Sequence, residues 1–416
     1  MPVQETAVQA VSPERAQFEA SPQPGFHFAN RMSRMPVSAI RELLKVTEHP
    51  EIISFAGGLP APELFPVDAI ARAHAEVFAD EAAVALQYST TEGCRSLREW
   101  IASRMQMRGI TTTADHVMIT TGAQQGVDLT AKIFLERGDT VIVENPCYLA
   151  AIQSFSGYEA SFIPIDSDDH GMRVDDIEEA LKHSRPSLIY IVSEFSNPKG
   201  TTLSHERRMK LIELSARHRI PILEDNPYSE LRYQGNRPPP LAALDTEGLV
   251  IHLCSFSKTL SPGMRLGWLI ASDAVFQNAV IAKQAADLHT STVEQRAAAR
   301  LLQTFDYDRH IRDLCTVYGE RCQAMRSAIE RYFPQDVKAT EPEGGLFIWV
   351  QLPERINAEE LFIDAVAERV AFVPGTSFFA CEPRQNFMRL NFSNQTPEMI
   401  EEGIKRIGSV LKRRLA

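Results

Sequence analysis

Along this chain, apolar positions recur with two different periods, and their succession predicts a layered α/β fold. Val37, Ile40, Leu43 and Leu44 fall on one face of a helix predicted over 37–45. Gly57 and Gly58, just ahead of Leu59 and Pro60, mark an extended segment where backbone can approach closely. That segment runs to Phe65-Pro66, and from there helical spacing continues to about residue 115, broken at 87–93. Seven short apolar runs follow, at 116–120, 140–143, 161–165, 188–193, 220–224, 250–254 and 265–270, with amphipathic segments such as 124–137, 173–183 and 204–217 between them. Runs that are apolar on both faces and separated by helices predict a mostly parallel, seven-stranded sheet covered by helices on both sides. Pro221 stands near the start of its run, where a missing N–H is tolerated.

Beyond residue 305 the pattern predicts a smaller α+β unit: helix at 309–332, strand at 344–350, helix at 358–369, strands at 370–373 and 387–392, and a terminal helix at 396–414. The expected organisation is a loose arm over 1–25, an N-terminal segment over 26–60 packing with the small domain, a large domain over 61–305 and the small domain over 306–416. No internal repeat or low-complexity tract interrupts it.

With 416 residues the chain can bury one large core and a second, smaller one. Its net charge of -11, from 54 acidic and 43 basic residues with no basic block interleaved with aromatics, argues against a nucleic-acid surface. Six cysteines show no CxxC pair, which predicts reduced thiols, and the eleven scattered histidines suggest no metal site. The first thirty residues lack the apolar stretch of a secretion signal, and no apolar run approaches the roughly 18 residues of a membrane helix. A soluble, cytoplasmic protein is the expectation.

The run 250–254 leads directly into Ser255-Phe-Ser-Lys258-Thr-Leu-Ser-Pro-Gly-Met-Arg265. Because α/β proteins bind ligands beyond the carboxyl ends of their strands, Lys258 stands where a ligand group belongs. Its serine, glycine and arginine neighbours suit a bound phosphate, and an amine so placed can form an imine with a phosphorylated aldehyde. Between a strand and a helix, Thr121-Gly-Ala123-Gln124 offers free N–H groups as a second part of the phosphate cup. Asp225 follows the run 220–224; facing a pyridine nitrogen, it would keep that nitrogen protonated and make the ring an electron sink. Tyr228 and Asn197 can donate to a ring hydroxyl from two sides, and Tyr148, past another strand end, can lie flat on the ring. Each has an ordinary alternative. Asp and Asn beside proline are favoured turn residues, and a tyrosine is often a satisfied core residue. Five strand ends suited to one phosphorylated pyridine aldehyde make a shared ligand the better explanation.

Over nearly its whole length the sequence resembles the fold type I pyridoxal-phosphate aminotransferases of class I/II, and within them the branch of 2-aminoadipate aminotransferases and related broad-range enzymes. The resemblance is carried by Ile53-Ser-Phe-Ala-Gly-Gly-Leu-Pro-Ala-Pro-Glu-Leu-Phe-Pro66, Leu86-Gln-Tyr88-Ser-Thr-Thr-Glu-Gly93, Ile119-Thr-Thr-Gly-Ala-Gln-Gln-Gly126, Asn197-Pro198 and Glu224-Asp-Asn-Pro-Tyr228. The lysine segment itself, Ala371-Phe-Val-Pro-Gly375 and Asn386-Phe-Met-Arg389-Leu extend it.

This resemblance implies the fold type I architecture, pyridoxal 5′-phosphate as cofactor, and transfer of an amino group between an amino acid and a 2-oxo acid. Glutamate/2-oxoglutarate is the expected shared pair, and a large aliphatic, aromatic or 2-aminoadipate-like amino acid its partner. By the same resemblance, Lys258 holds the cofactor covalently and shuttles the proton at the substrate α-carbon, Asp225 holds the ring nitrogen, Asn197 and Tyr228 the ring oxygen, and Tyr148 stacks on the ring. Ala123, Gln124, Ser255, Ser257 and Arg265 hold the phosphate. Tyr88 reaches the phosphate of a neighbouring subunit, which implies a homodimer with shared active sites. Arg389 takes the substrate α-carboxylate, assisted by Asn197 and the backbone near Gly58, while Arg41 meets a side-chain carboxylate and swings away from an apolar one. Ser196 and Lys199, flanking Asn197-Pro198, depart from the family pattern at the expected pocket edge. Two other readings stay open at this level: a β-lyase or decarboxylating reaction on the same cofactor, and a non-catalytic amino-acid sensor.

Overall fold

The computed structural model describes residues 26–35, 49 and 51–416, so the arm expected over 1–25, the helix expected over 37–45 and Arg41 lie outside the described residues. In chain order the strands are β1 Ile53–Ser54, β2 Val117–Thr121, β3 Thr140–Asn145, β4 Ser161–Asp168, β5 Gly171–Met172, β6 Leu188–Ile191 and β7 Ile222–Asp225. They continue with β8 Val250–Ser255, β9 Leu266–Ile270, β10 Lys338–Ala339, β11 Phe347–Gln351, β12 Val370–Ala371, β13 Val373–Pro374 and β14 Phe387–Asn391. The large sheet has the order β2-β9-β8-β7-β6-β3-β4-β5. It therefore holds eight strands where the sequence pattern predicts seven. The additional strand, β5, is two residues folded back antiparallel on β4, too short to leave a periodic signal.

Successive residues of the central strands point to opposite faces, and each face has its own core. Ile142, Ile189, Ile191 and Ile222 pack with Leu211 and Leu214 of the helix His205–His218. Val141, Val143, Leu188, Leu223 and Ile251 belong to the other core, with Val127 and Leu129 of the helix Ala123–Phe134. Burial on both faces is what parallel strands between helical layers require.

One feature of the topology assembles the site. The pairs β3–β4, β3–β6, β6–β7 and β7–β8 are parallel, while β9 runs antiparallel to both β2 and β8. The carboxyl ends of β2, β3, β6, β7 and β8 therefore share one edge, and the amino end of β9, with Arg265 just before it, arrives at that same edge.

The smaller sheet, β10-β11-β14-β13, is antiparallel throughout. β1 pairs in parallel with β12, and the Asn391 N–H donates to the Phe55 carbonyl at 2.9 Å. The segment leading to Gly58 is thus tied to the small-sheet region before it reaches the large sheet's ligand edge.

Candidate active site

At the end of β8, the Ser255 hydroxyl accepts from the Ser257 N–H at 3.2 Å, capping the short turn Phe256–Lys258. That turn aims Lys258 at the 56–58 segment, where its Nζ donates to the Gly58 carbonyl at 2.7 Å. Burial, reinforced by the charges of Arg389 and Arg265, pushes the lysine amine down to about 8. A substantial neutral fraction near neutral pH is what a nucleophilic amine needs.

Next to it lies an anion cradle. Gly122, at a φ of 73°, turns the chain from β2 into the helix Ala123–Phe134, whose first N–H groups have no partner within the helix. Arg265 lies against this turn so closely that a Cβ on Gly122 would come within 2.7 Å of its Nη2. Among the described residues no carboxylate pairs with Arg265, so its charge adds to the positive end of the helix. The Gln124 side chain is engaged elsewhere, donating to the Ala150 carbonyl at 3.2 Å and to the Ser154 hydroxyl at 2.7 Å. What Gln124 offers an anion is its backbone N–H.

The turn is backed by Gly267 on β9. A Cβ there would lie 2.7 Å from the Gly122 carbonyl carbon and 2.8 Å from the Ala123 nitrogen. Gly267→Ala is expected to push the cradle outward, costing about 1–3 kcal/mol of stability. Thermal unfolding of the variant and a cofactor titration, run side by side, check both the stability and the anion site.

Asp225, the last residue of β7, is 2% exposed. Its Oδ2 accepts from the Tyr190 hydroxyl at 2.8 Å, while its Oδ1 is buried with no hydrogen-bond partner. Burial pushes this carboxyl up to about 6, opposed by the Tyr190 bond and the His252 imidazole. A buried carboxylate oxygen without a donor is costly, and a protonated pyridine nitrogen is a donor of the right kind to complete it. The residues present therefore fit pyridoxal 5′-phosphate at both ends, ring nitrogen and phosphate. Half-buried Tyr148 responds to the same groups: burial and the Asp225 charge push its hydroxyl up to about 12, with Arg389 and Arg265 opposing. Tyr228 is also raised by burial, with the neighbouring Asn197 side chain among the groups that oppose the shift.

Arg389 sits in the middle of β14, opposite Trp349 of β11 and Val373 of β13, and is 1% exposed. Its Nη1 donates to the Asn197 Oδ1 at 2.8 Å and its Nη2 to the Ala56 carbonyl at 2.5 Å. The rings of Phe347 and Phe378 lie 4.5 Å and 5.1 Å from its guanidinium carbon. Lys258 and Arg389 thus hold carbonyls two residues apart on one extended segment, the one marked by Gly57 and Gly58.

Three partners escape a reading of the sequence: Tyr190, the Ala56 carbonyl and the Phe347/Phe378 pair. Tyr190 did leave a signal, since a hydroxyl in the wholly buried run 188–191 requires a partner. Within this chain Tyr88 stands apart from the assembly, 79% exposed, its ring edge-on to His289 at 5.9 Å. Lys199 donates to the Ser167 and Asp168 carbonyls at 2.8 and 3.1 Å, and Ser196 hydrogen-bonds Thr201 at 3.2 Å. Both departures from the family pattern are absorbed by local structure.

An amine, an anion cradle and a carboxylate with one donor-less oxygen at one sheet edge, with a guanidinium in electrostatic reach, define an enzyme for a phosphorylated pyridine aldehyde. The chain belongs to the family of class I and II aminotransferases, whose family model matches residues 51–407. It is 44% identical over 392 residues to aromatic-amino-acid aminotransferase 1 of Thermococcus litoralis, covering 93% of this chain and 94% of that one. It is 41% identical over 392 residues to the 2-aminoadipate transaminase of Thermus thermophilus, covering 94% and 97%. Its fold matches the crystal structure of a Pyrococcus horikoshii kynurenine aminotransferase with a TM-score of 0.90 at 41% identity, over 94% of this chain and 98% of that one. The protein is a pyridoxal-phosphate-dependent aminotransferase of fold type I, acting on amino acids and 2-oxo acids.

A pH dependence follows from the Lys258 amine. Because its charge is lost near pH 8, covalent uptake of pyridoxal 5′-phosphate by the apoprotein is expected to accelerate with pH below that value, about tenfold per unit, and to level off above it. Stopped-flow absorbance across this range checks it, and a profile still climbing steeply at pH 10 would contradict a depressed amine.

Proposed function

We propose that the enzyme exchanges amino groups between glutamate/2-oxoglutarate and a large aliphatic, aromatic or 2-aminoadipate-like amino acid. The observation that carries this reading is the Arg389 seat, a fully buried guanidinium held between Phe347 and Phe378 and linked through residues 56–58 to Lys258. Its planar fork suits an α-carboxylate, and the flanking rings suit an apolar side chain. The relatives named for aromatic and 2-aminoadipate substrates support the same choice.

When bound, pyridoxal 5′-phosphate supplies the aldehyde that accepts the amino group and a ring that acidifies the substrate Cα–H. In this reading Lys258 takes that proton and returns it, and Asp225 keeps a positive charge on the ring nitrogen. Asn197 and Tyr228 hold the ring oxygen, and Tyr148 covers the ring. The N–H groups of Ala123 and Gln124, with Ser255, Ser257 and Arg265, hold the phosphate. Asn197 and the backbone near Gly58 assist Arg389, and we assign Arg41 to the side-chain carboxylate of dicarboxylic donors. A homodimer, with Tyr88 reaching the phosphate site of its partner, accounts for a phenol so exposed next to exposed Leu86 and Val84. Six free thiols support a cytoplasmic location.

The test is a spectral cycle followed by a donor panel. An amino acid should convert the visible band of the bound cofactor to the near-ultraviolet, and a 2-oxo acid should restore it. Phenylalanine, leucine, 2-aminoadipate and glutamate are then compared with 2-oxoglutarate as acceptor. With a donor that carries a β-leaving group, such as cysteine, release of pyruvate together with ammonia and the leaving group in the absence of a 2-oxo acid would instead identify a β-lyase.

A further inference from the structure

We propose that Tyr190 is a positioning residue for Asp225: its phenol selects which carboxylate oxygen faces the cofactor ring nitrogen and holds the carboxyl in its charged form. The inference rests on the assignment of Asp225 to that nitrogen. It begins with strand register. Tyr190 of β6 lies opposite Leu223 of β7, and residues two apart on a strand share a face, so Tyr190 and Asp225 are diagonal neighbours within reach of an aromatic side chain. The phenol meets Oδ2 at 2.8 Å and leaves Oδ1 without a donor. Tyr190 is 1% exposed, and its ring is set edge-on to Phe155 at 5.5 Å, so its hydroxyl is held in place by packing.

The other groups around the carboxyl do not share the task. Cys147, Tyr148, Tyr228 and Cys254 lie in electrostatic reach of Asp225, and burial drives all four toward their neutral forms. His252 of β8 assists by charge, but its Nδ1 bonds to Glu224 at 2.9 Å, on the other face of the sheet. Among the described residues Tyr190 is the side chain that donates to Asp225. With the phenol removed, both oxygens would be buried without a protein donor. The carboxyl would then turn freely and favour protonation, and a neutral carboxyl no longer stabilises a positive ring nitrogen.

The test separates this role from simple packing. Apoprotein is titrated with pyridoxal 5′-phosphate and with its 1-deaza analogue, in which a C–H replaces the ring nitrogen. Tyr190→Phe is expected to weaken binding of the natural cofactor about tenfold, the scale of a hydrogen bond to a charged group, while leaving the analogue's affinity unchanged. Equal losses for both ligands, or no loss for either, would overturn the proposal. Tyr190→Met, which refills the same apolar space, is read in parallel should the phenylalanine variant fold poorly. Asp225→Ala tells the two levels of failure apart. If it discriminates between the ligands and Tyr190→Phe does not, the Tyr190 role falls and the Asp225 assignment stands; if Asp225→Ala fails to discriminate, the assignment itself falls. Adding Tyr190→Phe to Asp225→Ala should change nothing further, and an undiminished second loss would overturn the coupling.

Discussion

Lys258→Ala is expected to lose the visible band of the covalently held cofactor and to cut turnover by at least about 10²-fold, because covalent attachment and a positioned acid–base group disappear together. Among the described residues no nearby free amine can substitute. The other deeply buried lysines are engaged: Lys199 with two carbonyls of β4, and Lys283 with Asp287, Gln125 and Thr290. The fold should survive, since the change removes an amine whose burial already opposes its charge. Absorbance of the purified variant after cofactor addition, with steady-state transamination and circular dichroism, checks all three expectations. Turnover near the wild-type rate in a folded variant would remove Lys258 from the mechanism.

What could be read from the sequence was what is local along the chain. The central strands announced themselves because burial on both faces leaves uninterrupted apolar runs, and Gly122 announced a tight strand-to-helix turn because its positive φ and the Arg265 side chain against it leave no room for a Cβ. Lys258, Asp225 and Asn197 were legible because Asp225 directly follows such a run and the other two stand four residues beyond one. The partners of these residues were not, because they come from elsewhere in the chain. Tyr190 and Asp225 are 35 positions apart and meet through the β6–β7 register. Arg389 meets Ala56 across 333 positions, through a pairing of β1 and β12 that two-residue strands cannot signal. The Gln124 side chain shows the same limit in reverse: its place at the helix start was evident, but the competing acceptors on the helix Leu149–Gly157 turned it away.

In the proposed reading the two arginines divide the labour most sharply. Arg389→Ala should lower kcat/KM for every amino donor by about 10²- to 10⁴-fold, since every donor carries the α-carboxylate and two hydrogen bonds to a charged group, at roughly 1.5–3 kcal/mol each, are lost. The loss should not be rescued by Arg389→Lys. An ammonium cannot lie flat between Phe347 and Phe378 while satisfying both Asn197 and the Ala56 carbonyl, as the guanidinium does. Arg41→Ala should instead impair glutamate and 2-aminoadipate while sparing leucine and phenylalanine, because only the first two bring a second carboxylate. Measuring kcat/KM for all four donors in the three variants separates the roles. Equal losses across donors for Arg41→Ala would reject side-chain recognition, and full activity in Arg389→Ala would overturn the orientation of the substrate itself.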